Sequence, residues 1–126
     1  MSNRETPRRQ QDRSRETRAE ILRVAAESLY EVGYHRTTLA RICLKGKLSR
    51  GAVLHHYPTR LELCKALIVY LLDQRIREMV EHMHDAPTDL GNRSQLFRSL
   101  WDFFRTPTYY AWLELLVASR TNPELH

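Results

Sequence analysis

Three helix-stopping signals, Gly33, Gly46 and Pro58, fall close together in this chain and leave room for only two short helices between them. Gly33 suits a left-handed helix end, and Pro58 can neither donate a backbone hydrogen bond nor fit inside a continuing helix. Each gap opens on a capping residue. Thr37 or Thr38 can cap the first short helix, which turns Leu39 and Ile42 inward and Arg41 and Lys45 away. Ser49 can cap the second, Arg50 to His56, about two turns long.

Longer helices flank this pair. Before it, Thr17 and Glu20 have the spacing of a capping box, and Ile21, Leu22, Ala25, Leu29 and Val32 recur with helical period. After it, Thr59 and Glu62 repeat the capping-box spacing and open a helix through Leu63, Leu67, Tyr70, Leu71, Ile76, Met79 and Met83 to about His84. Pro87 and Gly91 mark residues 85–92 as a loop. Leu96 to Phe104 carries a fifth helix, and Thr106-Pro107 can cap and begin a sixth. The sixth, Tyr109 to Ala118, has the single charge Glu114 and therefore predicts burial on nearly every side. No strand pattern, repeat or low-complexity tract appears, so the fold class is all-α.

Charge divides the chain. Residues 1–60 hold 13 Lys/Arg against 6 Asp/Glu, net +7, whereas residues 61–126 hold 7 against 9, net −2. Residues 1–14, arginine-rich with Pro7, read as a flexible basic arm. Residues 15–75 then form a basic head and residues 76–126 a partial, aromatic-rich body. The longest apolar run, Ala66 to Leu72, is far short of a membrane span, and no secretory signal follows Met1, so a soluble intracellular protein is expected. Cys43 and Cys64 lie in apolar helical patterns and read as small hydrophobes rather than a disulfide.

Two short helices joined by Lys45-Gly46-Lys47-Leu48 meet the requirements of a helix-turn-helix. Its first helix would hold phosphate through threonine hydroxyls and amino-terminal amides. Its second would enter the major groove, with Arg50 reaching base edges and Gly51 and Ala52 keeping the helix close. The cations Arg41, Lys45 and Lys47, the cap Ser49, and His55 and His56 complete the expected DNA face, with Arg60 clamping the flanking backbone. His55-His56 with either cysteine does not make a convergent metal site, and His82-x-His84 lacks the spacing that puts two imidazoles on one helix face. No nucleophile, base and orienter fall into a recognisable arrangement, so neither enzyme, metal nor cofactor is read here. The rival reading is a helical protein–protein interaction module whose basic half is incidental.

Residues 17–72 resemble the DNA-binding domain of tetracycline-repressor-type (TetR/AcrR) regulators, through Thr37-Thr38, Ile42, Ser49-Arg50-Gly51-Ala52, His55-His56-Tyr57-Pro58 and Thr59-Arg60-Leu61-Glu62-Leu63. The resemblance implies a cytoplasmic, nucleoid-associated transcriptional regulator, usually a repressor. Its helix-turn-helix would span residues 38–57, with Thr38, Arg50, Gly51, His55, His56, Tyr57 and Arg60 lining the DNA. It further implies a homodimer on a palindromic operator and a small apolar effector held in the body. There, Phe97, Trp101, Phe104, Tyr110 and Trp112 are the candidate pocket residues. Relatives in the family continue past the sixth helix, so this sequence reads as a regulator truncated at its carboxyl end. Two positions depart from the family's pattern. Gly46-Lys47 replaces Ala-Gly, which predicts positive φ at Lys47, and Leu54 replaces a tyrosine and so lacks its phenolic hydroxyl.

Overall fold

The computed structural model describes residues 7–85 and 92–125, which form six helices and a closing 3-10 turn: α1 (Pro7–Val32), α2 (Leu39–Gly46), α3 (Arg50–His56), α4 (Arg60–Asp85), α5 (Arg93–Phe103), α6 (Pro107–Thr121) and Pro123–Leu125. Residues 1–6 of the expected arm and 86–91 of the expected loop lie outside the described residues.

α1 corrects the reading of its own start. It begins at Pro7, so Thr17 sits inside a helix and caps nothing. Proline suits a first helical turn, and from Gln10 to Glu20 the chain contains no glycine or further proline. Residues 7–14 are therefore helical rather than a flexible arm, although every one of them is exposed.

Ile21, Val24, Ala25, Ser28 and Leu29 form the buried stripe of α1. They meet Ile42 of α2, Val53 of α3, Leu63, Leu67 and Leu71 of α4, and Ala111 and Leu115 of α6 in one continuous core. The long α4 is buried only over its first three turns. Ile76, Met79 and Met83, part of the apolar pattern that marked this helix, are exposed. α6 likewise departs from expectation. Ala111, Leu115 and Ala118 are buried, while Tyr110, Leu116 and Val117 face outward. Both cysteines are free.

α1 ends at Gly33 with φ +79, as its glycine predicts. A Cβ there would also lie 2.9 Å from Oε2 of Glu114, so that carboxylate would have to shift. The same carboxylate accepts a hydrogen bond from the Tyr34 N–H at 2.9 Å. The Tyr34 carbonyl accepts from Nη2 of Arg60 at 2.8 Å, and the guanidinium lies 4.4 Å from the Tyr34 ring centroid. The turn leaving α1 is thus held from α6 on one side and from the start of α4 on the other. Below it, buried Thr37 donates to the Gly33 carbonyl at 2.8 Å and pairs with the Ser28 hydroxyl at 3.1 Å.

At the far end of α4, Arg75 donates to Glu78, to the Phe103 carbonyl and to the Thr106 hydroxyl, at 2.7, 3.2 and 3.2 Å. Its guanidinium also lies 4.0 Å from the Phe103 ring centroid and 5.2 Å from that of Tyr109. The corner between α5 and α6 is built around this cation.

The turn between α2 and α3 confirms the expected strain. Lys47 has φ 52 and ψ 41, a left-handed conformation that penalises a side chain. The Leu48 N–H bonds the Cys43 carbonyl at 2.9 Å, and the Lys47 N–H bonds that of Leu44 at 3.4 Å. Both are the bonds of a Schellman helix end. Gly46 serves packing instead, since a Cβ there would approach Leu48 to 2.9 Å and Val24 to 3.2 Å. Lys47→Gly is therefore expected to stabilise the fold by about 0.5–1 kcal/mol, and Gly46→Ala to destabilise it by about 1 kcal/mol. Urea denaturation of the two variants beside the wild type checks both signs. A lower midpoint for Lys47→Gly would contradict the strain argument.

Candidate nucleic-acid interface

Two caps fix the angle at which α3 is presented. The Thr38 hydroxyl accepts from the Arg41 N–H at 3.2 Å, and the Ser49 hydroxyl accepts from the Ala52 N–H at 3.0 Å. Each satisfies a backbone donor that would otherwise lack a partner within its helix. Val53 is fully buried against the core, so the outer face of α3 carries Arg50, Gly51, Leu54 and His55 toward solvent. Arg50 has no hydrogen-bond or ion-pair partner among the described residues. A Cβ on Gly51 would meet nothing within 4 Å, so nothing inside the described fold requires glycine there. Leu54, at the family's tyrosine position, is partly exposed and lines a small cleft with Leu39, Pro58 and Leu63.

The residues expected to touch DNA divide into two groups. Thr38, Lys47, Ser49, Arg50, Gly51 and His55 are exposed at the two caps, the turn and α3, with Ala52 and His56 half-buried beside them. Arg41, Lys45, Tyr57 and Arg60 are engaged within the fold. Arg41 donates to Ser28 and Glu31 at 3.0 and 2.9 Å, and the Lys45 ammonium lies 2.7 Å from Glu31 and 3.5 Å from Glu27. The expectation that Arg41 and Lys45 point away from the bundle is corrected: they strap α2 to α1. The hydrogen bond from Lys45, with that from Arg41, holds the Glu31 carboxyl below its ordinary range, and the Glu31 bond raises the Lys45 ammonium.

Tyr57 is 4% exposed and belongs to the core. Its hydroxyl accepts from Nε of Arg18 at 3.2 Å. Arg60 spends its guanidinium on Tyr34. Arg36, not among the expected DNA contacts, is exposed in the turn just before Thr38 and has no partner among the described residues. A cation adjoining a cap was the available signal.

The five aromatic residues proposed for a ligand pocket do not converge. Phe97 and Trp101 stack on each other at 6.1 Å on the outer face of α5, a helix with no buried residue. Phe104 and Tyr110 are also exposed, and Trp112 packs half-buried against the core. None of the five lines the apolar cleft between α1, α4 and α6, which is bounded by Ala26, Tyr30, Tyr70, Leu71, Pro107 and Ala111. At about 150 Å³ that cleft is smaller than the usual small-molecule pocket. No group of three or more metal-ligating side chains occurs among the described residues, and none of the described helices is long and apolar enough to cross a membrane.

The sequence pattern described as "Bacterial regulatory proteins, tetR family" matches residues 21–67, the span from the first buried residue of α1 to the third turn of α4. Over that span the chain resembles the tetR family. Over 118 residues the chain is 29% identical to the uncharacterized HTH-type transcriptional regulator Rv2912c of Mycobacterium tuberculosis, covering 94% of this chain and 60% of that protein. It is also 29% identical to the HTH-type transcriptional regulator CymR of Pseudomonas putida, covering 94% and 58%. Over 61 residues it is 39% identical to the HTH-type transcriptional regulator TtgR of Pseudomonas putida, covering 48% of this chain and 29% of that protein. The chain thus spans about three fifths of the curated relatives it matches along most of its length. The crystal structure of the multidrug binding protein EbrR, complexed with imidazole, shares the fold at a TM-score of 0.64 and 20% identity, covering 86% of this chain and 62% of that one.

His56 gives this helix-turn-helix head a pH dependence. Burial lowers its pKa first, followed by the neighbouring charges of His55 and Arg18. A histidine held neutral in the fold takes up its proton more readily when unfolded, so stability is complete above about pH 6.5 and falls as pH drops through the lowered value. Urea midpoints measured between about pH 8 and pH 5 should decline for the wild type. The decline should be shallower for His56→Gln; parallel curves would show that His56 does not contribute.

Proposed function

We propose that the protein is a sequence-specific, DNA-binding transcriptional regulator, of the repressor kind usual in its family, acting by binding rather than by catalysis. The observation that carries this reading is the leading end of α3. Arg50 is exposed without a partner, Gly51 borders open space, and both are fixed by the Ser49 cap and the left-handed turn at Lys47. Such a helix can enter a major groove amino-terminus first, with Arg50 donating to a guanine edge and Gly51 allowing close approach. Lys47, Arg36, Thr38 and His55 are available to phosphates. The tetR-type head and the regulators it resembles support the same reading.

A homodimer on a palindromic operator, located in the cytoplasm, completes the proposal on family grounds. The exposed apolar residues of α4 and α5 are surface that self-association could cover. A small apolar effector enters it only through the likeness to EbrR, named a multidrug binding protein.

Arg50→Ala should weaken binding to a selected operator by about 1–3 kcal/mol and relax preference at one base position, with no change in melting temperature. Arg60→Ala should do the reverse in part, lowering stability by about 1 kcal/mol through the lost bond to Tyr34 and its ring contact. Selection of bound fragments from random duplex, followed by titration and thermal melts of both variants, separates the roles. Unchanged base preference in Arg50→Ala would overturn the reading, and weak, salt-insensitive binding by the wild type would favour the interaction-module alternative.

A further inference from the structure

The exposed start of α1 does not simply project into solvent. A groove of about 650 Å³ runs between it and the carboxyl end of α3, with Gln10, Gln11, Ser14 and Thr17 on one wall and His55 and His56 on the other. The α1 residues recur at three- and four-residue spacing and so share one face of the helix. Arg13 and Arg15 flank that face, one on each side of Ser14, and also line the groove. No carboxylate lines it. The two acids of this stretch, Asp12 and Glu16, each lie two positions from Ser14 and so project from the opposite side of the helix. The arrangement segregates donors and cations toward α3 and acids away from it, which suits an anionic occupant.

Resting on the reading of α3 as the helix that enters the major groove, we infer that this groove is a second DNA-backbone site, holding phosphates that flank the base pairs read by α3. The two surfaces are continuous, because the groove begins at the histidines that end the recognition helix. The span from Pro7 to Thr17 is roughly 15 Å, enough to follow about two or three successive phosphates of one strand. Its contacts carry no base preference, so they add affinity and salt dependence without altering the sequence selected.

The test uses Ser14→Glu, which introduces a carboxylate into the groove, and Arg15→Gln, which removes a cation from its wall. Asp12→Asn on the opposite face is the control. All three positions are exposed, so thermal melts should match the wild type. Each protein is titrated against two duplexes carrying the same selected site, one of about 14 and one of about 30 base pairs, over a salt series. On the longer duplex Ser14→Glu should bind about tenfold more weakly, and both groove variants should lose about one unit of salt slope. On the shorter duplex the groove variants should approach the wild type, and Asp12→Asn should show no loss on either. Wild-type affinity and slope for Ser14→Glu and Arg15→Gln on the long duplex, with Arg50→Ala still losing base preference, would overturn the groove site alone. Absence of duplex binding by the wild type would overturn the reading of α3, and the groove site with it.

Discussion

The left-handed stop at Gly33 is the constraint on which the other helices depend. Its φ of +79 turns the chain out of α1, and its missing Cβ leaves the space taken by the Glu114 carboxylate. Tyr34, the next residue, is then held by its N–H from α6 and by its carbonyl from Arg60 of α4. Thr37, at the end of the same turn, returns to the Gly33 carbonyl and to Ser28 of α1 before Thr38 caps α2. The relative placement of α1, α2, α4 and α6 passes through these few residues. A side chain at position 33 would face both backbone strain and a clash.

The basic character of the head is divided between internal straps and outward cations. Arg18 holds the Tyr57 hydroxyl, Arg41 and Lys45 hold Glu31, and Arg60 holds Tyr34. These bonds join helices distant in sequence and orient the pair α2–α3 on its support. Arg36 in a turn, Lys47 in a left-handed turn and Arg50 beyond the Ser49 cap have no such partner among the described residues and remain for a ligand. Net charge identified the basic half, but only the placement of Glu27, Glu31, Tyr34 and Tyr57 separates the structural cations from the available ones.

What was legible in the sequence was local. The caps at Thr38, Ser49 and Thr106, the end of α3 before Pro58 and the positive φ of Lys47 each depend on residues within one turn. What was not legible depended on distant partners. Tyr57 falls on a DNA-lining position by resemblance, yet its ring completes a core supplied by α1 and α4. The aromatic residues of α5 looked like pocket material by composition, but the cation that uses Phe103 and Tyr109 comes from α4. The early start of α1 was obscured for a different reason. Residues 7–16 bury no side chain, so apolar periodicity, the main helix signal, is absent there.

The head and α6 share one core, and this bears on how a change in the body could reach the DNA face. Ala111 and Leu115 pack in the same cluster as Ile21, Val53 and Leu67, so α6 is not a separate layer resting on a finished head. Moving α6 along its axis would open that core and draw the Glu114 carboxylate from the Tyr34 N–H. It would also loosen the turn that delivers the chain to α2. Packed cores shift between discrete arrangements rather than deform continuously. No long relay of side chains separates α6 from α3, since two α6 residues contact the core that seats α3 and a third holds the turn before α2.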